Sequence, residues 1–119
     1  MTDDERRERG ERAFAAVYGG VVELPPAAER DAFLENMMGQ LFAEVWSRDV
    51  LSVRDRRLLI MGAIAALGER ELFGIQARAA LAKNELTREQ IDEAVLTLTQ
   101  YVGYPRASGL RSVVKTQVP

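Results

Sequence analysis

The sequence predicts an all-α protein of five to six helices, and three observations carry that reading. Apolar residues recur at three-to-four-residue spacing along most of the chain. Helix start and stop signals bracket those stretches, and no run alternates apolar and polar residues as a half-buried strand would.

The first helix is expected from about Asp3 to Tyr18, where Ala13, Phe14 and Val17 make a weak apolar stripe before Gly19-Gly20 ends it. Gly19 to Pro26 reads as a loop. A second helix is expected from about Glu29 to Ser47, with Phe33, Met37, Leu41 and Val45, and their neighbours Leu34, Met38 and Phe42, marking a buried face. Ser52, with Asp55 three residues on, opens a third helix that carries the apolar run Leu58 to Leu67 as far as Gly68. Being apolar nearly all round, this segment is expected at the centre of the molecule. The fourth helix, about Arg70 to Lys83, has an alanine-rich surface suited to close packing, and Asn84 can cap it. Thr87-Arg88-Glu89-Gln90 is a capping box for a fifth, striped by Ile91, Ala94, Val95, Leu98 and Val102 until Gly103 and Pro105. A last short helix, about Arg106 to Lys115, places Leu110, Val113 and Val114 on one side.

Composition narrows the chemistry. The 119 residues include no histidine and no cysteine, which excludes disulfides, a thiolate nucleophile, an imidazole proton shuttle and zinc or copper sites of the usual donors. An all-oxygen site for a hard cation needs clustered carboxylates, and none is evident, so neither metal nor cofactor is expected. With 47% hydrophobic and 29% charged residues, one domain spanning residues 1–119 is expected, its first 28 residues being the more variable part. A net charge of −2 provides no basic field for nucleic acid. The longest apolar stretch is interrupted by Gly62 and is far short of the roughly 20 residues a membrane span needs. A charged N-terminal segment in place of an apolar signal points to the cytoplasm.

Polar residues that could do chemistry fall in two stretches and at one further position. In Phe42-Ala43-Glu44-Val45-Trp46-Ser47-Arg48, Glu44 and Arg48 stand one helical turn apart. They read either as an exposed ion pair or as a polar site beside Trp46, the only tryptophan, itself either core or the wall of a pocket. Arg54, Asp55, Arg56 and Arg57 open the third helix, where cations oppose the helix dipole and call for compensation by carboxylates or by an anionic ligand. Gln76, amid Phe73, Ile75, Ala79 and Ala80, has an amide that would need partners if it faces inward.

Together these segments, followed by Gln76-Ala77-Arg78-Ala79-Ala80-Leu81, Leu86-Thr87-Arg88-Glu89-Gln90-Ile91 and Tyr101-Val102-Gly103-Tyr104-Pro105, strongly resemble the carboxymuconolactone decarboxylase family in order and spacing over roughly residues 30 to 115. The resemblance implies an all-helical, alkylhydroperoxidase D-like bundle that assembles as a ring-like homo-oligomer, a trimer or hexamer. The peroxidase branch of such proteins uses Cys-x-x-Cys followed by histidine, which this chain lacks. In the decarboxylase branch a histidine normally precedes the fourth-helix segment, and here Gln76 holds that place. Glutamine hydrogen-bonds but carries no proton in catalysis.

The resemblance implies a cofactor-independent lyase acting on a small carboxylated lactone or enolisable compound. Glu44 would be the proton-transfer group, Arg48 or Arg56 would bind the anion, and Gln76 and Trp46 would shape the pocket. The alternative is a non-catalytic oligomeric binding or scaffold protein that kept the fold and lost the acid–base group.

Overall fold

Local capping sets where the first helix begins. Thr2 accepts a hydrogen bond from the Glu5 amide, the Glu5 carboxylate accepts one from the Thr2 amide, and helix α1 runs Asp3–Tyr18 with three carboxylates in its first turn. The computed structural model describes residues 1–119 and contains six helices and no strand. Its contacts group the chain into two compact units, Met1–Val53 and Arg54–Pro119.

In the first unit, a single 3-10 turn at Ala27–Glu29 and a short helix α2, Ala32–Asn36, replace the start of the long second helix read from the sequence. From Met37 to Trp46 the backbone then continues as a π-helix, with i→i+5 bonding. Apolar spacing of three to four residues does not separate the two kinds of helix over ten residues, so the pattern gave the burial only in part and the backbone geometry incorrectly. Met38, Phe42, Ala43 and Trp46 are buried, while Phe33, Leu41 and Val45, placed on the buried face by the spacing, are exposed.

Helix α1 packs on this π-helix. Gly10 makes the approach possible: a Cβ there would lie 2.5 Å from the Met38 carbonyl oxygen. Phe14 and Tyr18 meet Phe42 edge-on at ring separations of 5.1 and 6.0 Å, and Phe42 stacks on Trp46 at 6.4 Å. Arg30 fastens the loop to α1, donating to the Pro25 carbonyl (2.8 Å) and pairing with Glu11 (2.7 Å).

The second unit holds helices α3 (Val53–Leu67), α4 (Arg70–Ala82), α5 (Arg88–Val102) and α6 (Tyr104–Gln117). Its core combines Met61 and Ala65 of α3, Phe73, Ala77 and Ala80 of α4, Ile91 and Val95 of α5, and Leu110 and Val114 of α6. The alanines of α4 and Gly74, where a Cβ would fall 2.5 Å from Val113, allow α4 and α6 to lie close. Thr87 and Gln90 form the capping box read from the sequence, and Gly103 at φ +90° turns the chain from α5 into α6. Pro105 sits in the first turn of α6, so that helix starts two residues before the position expected for it.

Helix α3 is not covered on every side. Leu59 and Leu67 are 63% and 74% exposed, and its most deeply buried side chain is a cation, Arg57. No helix is long and apolar enough to cross a membrane.

Candidate functional site

Glu44, Trp46 and Arg48 belong to the first unit, Arg56 and Gln76 to the second. The carboxylate of Glu44, on the π-helix, is about two-fifths exposed and pairs with the Arg6 guanidinium of α1, which also donates to the Gly39 carbonyl (3.2 Å). The pairing with Arg48 expected from i,i+4 spacing does not form. The helix ends at Trp46, so Arg48 no longer stands one turn along from Glu44, and it is exposed. Trp46 is buried in the aromatic cluster with Phe42. Its outer edge borders a groove of about 500 Å³ shared with Arg9, Arg12 and Ser47, where Arg9 Nε donates to the Ser47 hydroxyl (2.9 Å). Glu44 does not line that groove.

The second unit contains the most completely enclosed polar arrangement, and at its centre is Arg57, a residue the sequence reading did not single out from its arginine-rich turn. Arg57 is fully buried. Its Nε and Nη2 donate to the two carboxylate oxygens of Glu85 at 2.9 and 3.2 Å, and its Nη1 donates to Gln76 Oε1 at 2.8 Å. This is the forked pairing for which a guanidinium is suited, with Gln76 accepting on the remaining side.

The backbone explains how Glu85 reaches that position. Helix α4 ends at Ala82, Asn84 adopts the left-handed conformation at φ 57°, and the amides of Glu85 and Leu86 both turn back to the Ala80 carbonyl. Arg54 Nε holds the same turn by donating to the Glu85 carbonyl (3.0 Å). Compensation for the cations opening α3 thus comes from a carboxylate 28 residues away for Arg57. Arg56 is also buried.

A sequence signal for Arg57 was present: it lies four residues before Met61 and eight before Ala65, on the stripe that α3 buries. Nothing local marked Glu85 or Arg6, because their partners are set by chain reversal and by packing of separate helices.

Chemically, the Arg57 centre is occupied. A guanidinium does not give up its proton near neutral pH, an amide does not exchange one in catalysis, and both oxygens of Glu85 accept hydrogen bonds from Arg57. No group of three or more histidine, cysteine, aspartate or glutamate residues is placed to hold a metal ion.

Comparison with curated proteins and with solved structures gives no match. The model of the carboxymuconolactone decarboxylase family matches residues 31–116, a span running from the start of α2 to the last turn of α6 and including both Glu44 and Gln76. Six helices without a strand, the ordered motifs and a match over most of the sequence agree: this chain belongs to the carboxymuconolactone decarboxylase family.

Proposed function

We propose that this chain is a non-catalytic member of its family, a binding or scaffold protein in which the place of the family's histidine has become part of a structural ion-paired centre. The observation that carries this reading is the buried set Arg57–Gln76–Glu85, in which Gln76 is engaged as an acceptor, the guanidinium and the amide carry no proton in catalysis and both oxygens of Glu85 accept from Arg57. It acts as one domain in a homo-oligomer, a trimer or hexamer, of the cytoplasm. The apolar side chains left exposed on α3, α5 and α6, among them Leu59, Leu67 and Leu96, support assembly.

The deciding experiment follows carboxymuconolactone by ultraviolet absorbance and carbon dioxide release with the purified protein. No turnover above the uncatalysed rate is expected. Turnover that persists in the wild type and disappears in Glu44→Gln would overturn the reading.

That second outcome would favour a cofactor-independent lyase, with Glu44 as proton-transfer group, Arg48 or Arg56 as anion binder, and Trp46 and Gln76 shaping the pocket for a small carboxylated lactone or enolisable compound. Family membership supports it. In that case Gln76→His should raise the rate further, since it would return an imidazole to the place the family gives it.

A further inference from the structure

Helices α4 and α6 exchange arginines across their N-terminal ends. Arg70, the first residue of α4, lies over Gly109 of α6, its Cδ and Nη1 being 3.4 and 3.6 Å from where a Cβ would stand. Arg106, in the first turn of α6, lies over Gly68 just before α4, with Nε 3.7 Å from the corresponding point. The two cations reach the same groove of about 530 Å³. The hydroxyl residues Ser108 and Ser112 share its wall, no carboxylate lines it, and neither arginine has an ion-pair partner.

Two like charges facing one groove repel each other, though water screens these exposed side chains, and no carboxylate pairs with either. The first turn of α6 adds the positive end of its dipole. We propose that this groove binds a phosphate group, either inorganic phosphate or the phosphate of a small monoester, held between Arg70 and Arg106 with Ser108 and Ser112 as hydroxyl donors. Forked guanidinium donors on two sides match a tetrahedral dianion better than a planar carboxylate. The site is independent of the Arg57 centre and stands whichever reading of catalysis holds.

Titration of ¹⁵N-labelled protein with sodium phosphate at constant ionic strength tests it, because Gly68 and Gly109 place backbone amide reporters directly under the two arginines. Saturable millimolar binding is expected to shift those two signals and those of Ser108 and Ser112. Arg70→Gln and Arg106→Gln should each weaken it by about tenfold, the scale of one charge-assisted hydrogen bond, and the double variant should abolish it. Glycerol phosphate shifting the same signals identifies the monoester as a ligand, and phosphate alone doing so identifies the inorganic ion. The proposal is overturned if phosphate leaves the glycine signals in place, if the double variant binds as the wild type does, or if acetate at equal ionic strength gives the same shifts.

Discussion

Two arginine–glutamate pairs in this chain use the same chemistry in opposite surroundings. Arg6–Glu44 in the first unit has both side chains about two-fifths exposed, whereas Arg57–Glu85 in the second has a guanidinium with no exposed surface and a carboxylate 9% exposed. Water screens the first pair and competes for its hydrogen bonds, so holding it contributes little. The second has been taken out of water, and each partner now depends on the other to offset its desolvation. Gln76 is tied to the second kind of pair. Glu44, the residue sequence reasoning chose for proton transfer, belongs to the first.

The strongest way to break this contrast is to remove one partner of the buried pair. Glu85→Ala leaves Arg57 charged and enclosed, and should lower the stability measured by urea unfolding by about 3–5 kcal/mol. A loss below about 1 kcal/mol would put the buried pair in the class of surface pairs and remove the distinction.

In the first unit the comparable weakness is packing. Gly10→Ala drives a methyl group against the Met38 carbonyl, which is backbone and cannot rotate aside. A cost of about 3 kcal/mol is expected, near the top of the range for overpacking, and thermal unfolding would show it. If the variant were as stable as the wild type, the close approach of α1 to the π-helix would not be what holds that unit together.

Gln76→Leu sharpens the role of the glutamine itself. It deprives Arg57 Nη1 of an acceptor while leaving the Glu85 fork in place, so a loss of about 1–2 kcal/mol is expected in the same urea assay. A neutral result would show that Gln76 is a bystander to the ion pair.

The smallest effect should come from Glu44→Gln, a few tenths of a kcal/mol, typical of an exposed pair and diminishing further as salt is added. A salt-independent loss of more than about 2 kcal/mol would mean that Arg6–Glu44 is shielded from water in the assembled protein, and would draw the two regions together.

Much of the architecture was legible because it is written in short range. Thr87 with Gln90, Gly19, Gly68 and Gly103 mark helix ends through bonds that span a few residues, and Asp3–Tyr18 and Arg88–Val102 follow directly from them. The candidate site was legible only in part. The sequence marks Gln76 as an amide that needs partners if it faces inward, and leaves Trp46 as either core or pocket wall, and the structure has Gln76 accepting from Arg57 and Trp46 stacked on Phe42. The pairing of Glu44 with Arg48 failed because it assumed that the helix carries on past Trp46.

By itself the sequence determined the helical class, the family and the absence of imidazole and thiol chemistry, since these depend on residue identity and on spacing within a turn or two. Tertiary structure alone decided the π-helical backbone of Met37–Trp46 and the partners of Arg57 and Glu44. Apolar periodicity is nearly the same for i→i+4 and i→i+5 bonding, and a charged side chain has no preferred partner until packing fixes which opposite charge is left within reach and how much water remains between them.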